Sequence, residues 1–491
     1  TCTRHPACRL FRVWHTAIAV RSPTRDRRAV VVDPMDALLV AALPLLDAAS
    51  DTLGAPSHWP RYATRTFGAL AAVTGLLSIA QMAAASGKPT KVKDSDANTN
   101  VGEFRLFQSS YLVVYLTVML ADWLQGTNMY TLYAGYDMPI GTLFLTGFTS
   151  SAVFGTFLGL YVDKYGRKAG CIVFCVLEII INSLEHFPNL WLLLLGRILG
   201  GISTSLLFSA FESWMVTEHR KRKFPDEWLA STYSYSSIGN GLVAILAGVL
   251  AQVAADAYGD IGPFRLAIAL TVLTLVFVCF WKENYGEQET GDAGGAFGMA
   301  WREICNKREI ALLGGVNAFF EGAMYTFVFM WVPTIFRVAP ESPPPPIGLI
   351  FSCFMICITL GGMVFTPLLK MFGVEGATVL ISAIAVGTML VPVLTSSFAW
   401  VFGAFLVVEA CVGCWFACSG TMRSMYIPEA QQASIMNVYR VPLNILVVIG
   451  TKMEELAPAN VVFCTIASWF GVCCLLQIAL TLGPKGKTKA S

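Results

Sequence analysis

The amino-acid sequence predicts an all-α membrane protein that crosses the bilayer many times, with two six-helix bundles and one extra N-terminal helix. Apolar residues make up 55% of the chain and charged residues only 13%, a balance that is not typical of soluble domains. Apolar runs that are long enough to span a bilayer recur along most of the chain. These runs fall into two groups of six on either side of a polar middle segment.

Composition also sets the boundaries between the predicted parts. Residues 1–30 are rich in arginine and can be a transit peptide, a disordered tail or translated non-coding sequence, so we exclude residues 1–60 from the fold. The predicted parts are an N-terminal extension (1–60), an extra membrane helix with a cytoplasmic linker (61–105), a six-helix bundle (106–281), a cytoplasmic central loop (282–308), a second six-helix bundle (309–482) and a cytoplasmic tail (483–491).

Basic residues give the orientation of the predicted helices. The clusters at 164–168, 220–223 and 302–308 lie on one side, which is therefore cytoplasmic. The even number of core helices places both ends of the core there, and the extra helix places residue 1 on the outer side. A formal net charge of +2 gives no reason to expect a nucleic-acid partner.

Enzyme chemistry is not expected. Cys411 and Cys414 have the spacing of a redox or zinc motif, but they lie in an apolar helix without a matching pair and are interpreted as packing residues. No nucleophile with a base, phosphate loop or metal-ligand spacing stands out. The sequence therefore predicts no catalytic residue, no metal and no cofactor.

A short charged turn at residues 159–168 lies between two apolar segments and organises the first bundle. The glycines of this turn permit close helix approach and a tight bend, and its aspartate can pair with Arg167 or cap the next helix. Glu212 lies at a depth in the membrane similar to that of Arg167. Glu212 is predicted to pair with Arg167 when the inner mouth is closed. The predicted gating residues are Gly159, Asp163, Gly166, Arg167, Lys168 and Glu212. The turn resembles the signature between the second and third helices of major facilitator superfamily transporters.

Ionisable residues within the apolar spans need an explanation, because each costs about 2.5 kcal/mol or more in hydrocarbon. Asp122 and Glu321 lie near the middle of the first and seventh core helices, and Arg197 and Arg440 lie in the fourth and eleventh. Pairing between helices and participation in transport both remain open for these four residues. The same holds for two further carboxylates, Glu178 and Glu409.

Further stretches narrow the resemblance. They are Ala121–Gln125, Gly196–Trp214, Trp281–Tyr285, Phe319–Glu321 and Asn437–Leu443. Together they resemble the eukaryotic molybdate-anion transporter family of the major facilitator superfamily over about residues 62–482. The resemblance implies a multi-pass protein of the lipid bilayer, in the plasma membrane, that takes up the dianion molybdate by alternating access, with or without proton coupling. A facilitator for a sugar or organic anion and a non-transporting receptor or scaffold are the alternatives.

A dianion in a low-dielectric cavity needs cations and hydrogen-bond donors. Asp122 and Glu321 are the candidates for proton coupling, because a bound proton would lower their repulsion of the anion. An ion pair between Arg197 and Asp122 that serves packing is the alternative role of Arg197. The predicted substrate-binding residues are Arg197, Arg440, Asn437, Ser203, Thr204 and Ser205.

Overall fold

The computed structural model describes residues 56, 58–85, 101–155, 158–285, 293–340, 342–428 and 431–482. The helices, numbered in chain order, are α1 (Arg61–Ala85), α2 (Val101–Gly135), α3 (Ile140–Gly155), α4 (Leu158–Tyr165), α5 (Arg167–Leu184), α6 (Leu190–Leu207), α7 (Ala210–Lys221), α8 (Asp226–Tyr258), α9 (Gly262–Cys279), α10 (Ala293–Asn306), α11 (Arg308–Val338), α12 (Ile347–Leu394), α13 (Phe398–Tyr426), α14 (Gln432–Leu456) and α15 (Ala459–Thr481). The predicted N-terminal extension, except for its last residues, and the predicted tail lie outside the described residues.

Ten helices of the described part are long and apolar enough to cross a membrane. One of them, α12, contains two spans, because Gly373 with a φ of 69° bends the chain there. Two further spans are the shorter α3, which α4 follows, and α5 with its charged first turn. These additions give the predicted extra helix and two sets of six, so the predicted fold class is confirmed.

The chain divides into a short unit, Thr1–Val73, and a large unit, Thr74–Ser491, which contains both bundles. In the short unit, Trp59 N donates to Pro56 O at 3.0 Å just before α1 begins. In the large unit, α2 to α9 form the first bundle and α11 to α15 the second, with α10 in the loop between them.

The two bundles touch along their predicted outer halves. Gly248 of α8 packs against Gly348 of α12, and a Cβ on Gly248 would collide with the Gly348 carbonyl oxygen. Beside this contact, Ser352 Oγ donates to Ile245 O at 2.8 Å. Because backbones approach closely only where residues are small, these glycines permit the outer ends to close.

Aromatic rings close the same side between α3 and α11. The rings of Phe144 and Phe329 have centroids 4.9 Å apart, and those of Phe148 and Tyr325 are 5.6 Å apart. Phe148 and Tyr325 also line the cavity between the bundles, which extends from these rings to Arg423 near the predicted cytoplasmic end of α13. With the orientation that the sequence predicts, this is an inward-facing arrangement of the two bundles.

Substitution of Gly248 tests this outer closure. We expect Gly248→Val to hold the outer ends apart, because overpacking costs about 1–3 kcal/mol, which lowers the closed population by about fivefold to a hundredfold. A reporter cysteine, Ser352→Cys, should then react with a membrane-impermeant thiol reagent from outside, measured as the gain over the parent chain. The matched control is Gly241→Val on the same helix, where the nearest atom to a Cβ is Thr359 Oγ1 at 3.8 Å. Equal labelling in both variants would contradict the assignment.

Candidate functional site: a cavity between the two bundles

A cavity of about 520 Å³ lies between the bundles on the predicted cytoplasmic side. Helices α3, α6, α11, α13 and α14 supply its walls, together with the break between α6 and α7. The fourth span is discontinuous there, because Phe208 and Ser209 separate the two helices and both line the cavity. Irregular backbone at membrane depth is tolerated where it lines a cavity, as it does here.

Three charged side chains line the cavity, and all three come from the second bundle: Glu321 of α11, Arg423 of α13 and Arg440 of α14. Among the described residues, no ion pair within 4.0 Å joins Glu321 to either arginine. Since arginine stays protonated, the cavity contains two fixed positive charges that its own carboxylate does not contact.

Two buried donors beside these charges have no hydrogen-bond partner among the described residues. They are the Nδ2 atom of Asn317 and the Nε atom of Arg423. Asn317 is only 3% exposed, and its Oδ1 accepts from Ser419 Oγ at 2.9 Å, which orients its amide group. An unmet buried donor costs about 1–3 kcal/mol, so this arrangement is suited to an acceptor that enters the cavity.

The first bundle supplies neutral hydroxyl groups. Thr204 Oγ1 donates to Gly200 O at 2.9 Å, and Ser205 Oγ donates to Gly201 O at 2.9 Å. Each hydroxyl proton is thus used within α6, so in this arrangement neither hydroxyl donates into the cavity, and either must rotate to bind an anion as a donor. Thr204 and Ser205, both predicted as substrate-binding, line the same cavity as Arg440.

Arg197 lies in a different environment. It is not among the residues that line the cavity. Its Nη2 forms an ion pair with Glu185 Oε1 at 3.3 Å, and Nη1 lies 2.9 Å from Met129 Sδ. Tyr133 Oη also donates to Glu185 Oε1, at 2.8 Å. The partner of Arg197 in this arrangement is therefore Glu185 at the end of α5, and not Asp122 as the alternative interpretation of the sequence proposed.

The other predicted binding and coupling residues are also dispersed. Ser203 donates to Glu178, which Gln125 Nε2 contacts at 2.7 Å, so this hydroxyl belongs to a buried network inside the first bundle. Asn437 and Asp122 do not line the cavity. Glu321, the second coupling candidate, does line it.

The charged turn between α4 and α5 is anchored within the first bundle. Gly166 has a φ of 117°, and a Cβ there would lie 2.6 Å from the carboxyl carbon of Glu283. The Glu283 carboxylate accepts from Lys168 N at 2.8 Å and from Ala169 N at 3.0 Å, which satisfies the first turn of α5. The surroundings of Gly159 and the side chain of Asp163 lie outside the described part.

The predicted pair of Arg167 and Glu212 is apart in this structure. Arg167 Nη1 donates to Ser213 O at 3.1 Å and also contacts Thr217 Oγ1. Glu212 Oε1 accepts from Tyr233 Oη at 2.8 Å. Tyr233 gives no signal in the sequence, because a tyrosine near the start of a membrane helix is ordinary.

Sequence reasoning missed three side chains of functional interest. Arg423 lies in the last turn of α13, where a basic residue ordinarily indicates only the cytoplasmic end of a membrane helix, so its sequence position does not distinguish it from an orienting charge. Asn317 lies four residues before Glu321, on the same helix face, and this spacing was a usable signal. Glu185 lies in a loop just after α5, where a carboxylate is ordinary and its sequence position indicates no buried partner.

Comparisons with known proteins agree with this architecture. Residues 62–413 match a family described as sugar transporters with 12 transmembrane segments. The crystal structure of the nucleoside transporter NupG aligns over 77% of this chain and 100% of its own, with a TM-score of 0.63 at 12% identity. A peptide transporter POT in complex with sulfate aligns over 76% of this chain and 93% of its own, with a TM-score of 0.61 at 12% identity. The chain is thus a multi-pass membrane transporter of the major facilitator superfamily.

Sequence relatives define the family within this class. The molybdate-anion transporter of Xenopus tropicalis is 32% identical over 396 residues, which are 78% of this chain and 85% of the relative. The molybdate-anion transporter of Takifugu rubripes is 30% identical over 416 residues, 77% of this chain and 85% of the relative. The chain belongs to the molybdate-anion transporter family, as its sequence motifs predicted.

The Arg197–Glu185 pair can be tested by stability. We expect Arg197→Gln to lower the free energy of unfolding by about 3 kcal/mol, because it leaves a carboxylate that is only 1% exposed without its cation. The double variant Arg197→Gln with Glu185→Gln should recover most of this loss. Thermal unfolding of the purified protein measures both effects.

The matched control is Lys307→Gln, which breaks the exposed Lys307–Glu303 pair and should change stability by at most about 0.5 kcal/mol. If Arg197→Gln unfolds like the parent protein but loses uptake, the pair is not structural and Arg197 acts on the substrate, as the sequence predicted.

Proposed function

We propose that this protein takes up molybdate across the plasma membrane by alternating access and that the cavity between the bundles is its substrate site. The names of its sequence relatives support the substrate. The observation on which the site rests is the convergence of unpartnered donors, Asn317 Nδ2 and Arg423 Nε, beside a second arginine, Arg440. The protein acts in this proposal as a transporter and not as an enzyme.

The chemistry of the cavity suits a small oxyanion better than a sugar. A guanidinium presents N–H donors in a planar fork that matches two oxygens of a tetrahedral anion. A neutral sugar would leave the charges of Arg423 and Arg440 without a counter-charge in a site of low dielectric. The second bundle therefore supplies the charge for the anion, and the hydroxyl groups of Thr204 and Ser205 complete the opposite wall.

The position of the cavity supports alternating access. Its walls come from both bundles, and the contacts between Gly248 and Gly348 close the outer side while the cavity lies toward the cytoplasm. An anion held there lies at the interface that must rearrange during transport. In the opposite state, Glu212 leaves Tyr233 and pairs with Arg167, which latches the inner mouth.

Substitution of the cavity arginines tests the substrate site. Arg423→Gln and Arg440→Gln should each reduce uptake of radiolabelled molybdate by about ten- to a hundredfold, because a hydrogen-bonded charge contact contributes about 1.5–3 kcal/mol. Arg423→Lys and Arg440→Lys retain the charge but lose the planar fork, so they should mainly raise the half-saturation concentration. Sulfate and tungstate should compete with molybdate in the parent protein, whereas a neutral sugar should not.

The matched control is Arg220→Gln, which removes an exposed arginine at the end of α7, outside the cavity, and should leave uptake unchanged. Full molybdate uptake by Arg423→Gln and Arg440→Gln at normal membrane levels would overturn the proposed site. Competition by sugar and not by sulfate would overturn the oxyanion.

Glu321 is the proposed site of proton coupling. Its carboxylate shares the cavity with both arginines, so a proton on it would increase the net positive charge that an anion meets. Glu321→Gln mimics the protonated form. We expect this variant to exchange molybdate across vesicle membranes but to lose any stimulation of uptake by an inward proton gradient. A variant that remains stimulated like the parent protein would exclude Glu321, and Asp122→Asn would then be compared in the same assay.

A further inference from the structure

A second, larger space lies outside the substrate cavity. It is an apolar groove of about 650 Å³ between the loop helix α10 and the first turns of α11, with the part of α14 around Pro442 as its far wall. Trp301 and Ile304 of α10 form one side, Ala311 and Gly314 of α11 the floor, and Ile445 part of the far wall. Small residues on α11 leave this space unfilled by the protein's own side chains.

The groove faces the bilayer near its cytoplasmic boundary. Val441 and Ile445 on its wall are 51% and 56% exposed, as lipid-facing residues of a membrane helix are. Trp301 is 54% exposed, and tryptophan is enriched at the level of the lipid headgroups. An apolar surface at this depth is covered by acyl chains and not by water.

Two exposed arginines are close in sequence to residues that line the groove, at the predicted level of the lipid headgroups. Arg308 is exposed and lies one turn before Ala311, and Arg302 is exposed next to Trp301. Lys307 is engaged with Glu303 at the same end. These arginines are on the predicted cytoplasmic side, where membranes hold their anionic lipids. We propose that the groove binds one anionic phospholipid of the cytoplasmic leaflet, with an acyl chain against Ala311 and the headgroup between Arg302 and Arg308.

The lipid would touch the wall of the substrate cavity. Tyr439 lines both the groove and the cavity. Its hydroxyl donates to Ile310 O, and its ring packs against Gly314, so the ring is fixed between the two spaces. Occupation of the groove therefore restrains the contact between α11 and α14 that forms one side of the inner mouth.

The experiment measures which lipid the purified full-length protein retains. The protein is reconstituted in phosphatidylcholine vesicles with added phosphatidylglycerol, extracted in detergent and examined by native mass spectrometry. We expect retention of one phosphatidylglycerol and little phosphatidylcholine. Ala311→Phe fills the groove and should abolish this retention. Arg302→Gln and Arg308→Gln should each weaken it about fivefold, the equivalent of about 1 kcal/mol per basic residue at an anionic surface.

Matched controls separate lipid binding from folding. Ala399→Phe changes another exposed alanine in the first turn of a membrane helix, and Arg220→Gln removes another exposed cytoplasmic arginine, so both should retain the lipid like the parent protein. Thermal unfolding checks that Ala311→Phe is folded, and should it be unfolded, Ile445→Ser supplies the comparison by making the wall polar. Equal retention of both lipids, or retention of phosphatidylglycerol by folded Ala311→Phe, would overturn the proposal. Neither readout depends on molybdate transport.

Discussion

The requirement that a cation inside a membrane protein has a partner governs the arrangement of this structure. The protein meets it in two ways. Arg197 has an internal counter-charge, since Glu185 Oε1 lies 3.3 Å from its Nη2 and the Glu185 side chain is only 1% exposed, although Arg197 Nε has no hydrogen-bond partner among the described residues. Arg423 and Arg440 have no carboxylate within ion-pair distance among the described residues, although Glu321 shares their cavity. The difference separates a structural arginine from arginines that are available to a ligand.

Charge is distributed unequally between the two bundles. All three charged residues of the cavity belong to the second bundle, whereas the first bundle presents hydroxyl groups such as Thr204 and Ser205, whose protons are bonded within their own helix. An anion would therefore bind mainly to the second bundle, while contacts to the first bundle remain individually weak. Weak contacts on one side suit a transporter, because that side must separate from the substrate in each cycle without a large cost.

The sequence predicted the helices far better than the site, for a physical reason. Run length and basic residues define which segments cross the membrane and how deep a residue lies, and these quantities place Arg197 and Arg440 correctly within their spans. The direction in which a side chain points depends on packing between helices that are distant in sequence. Depth alone therefore could not show that Arg197 points to Glu185. The same limit explains why the sequence predicts Asn437 as a substrate-binding residue, whereas Asn444, seven residues later, lines the cavity.

In the proposed transport cycle, partnered charge and helix contact act together. Water reaches Arg423 and Arg440 from the predicted cytoplasmic side, while Gly248 and Gly348 close the opposite side. When the inner mouth closes, that water is lost, and two cations with one carboxylate remain in a site of low dielectric, which is costly. In the proposed cycle, a bound dianion neutralises the two arginines when Glu321 carries a proton, whereas with Glu321 ionised it would leave an excess of negative charge. The substrate together with this proton would then favour the occluded state, because it interacts more strongly with that state than with the open one, which is the condition for a ligand to drive a conformational change.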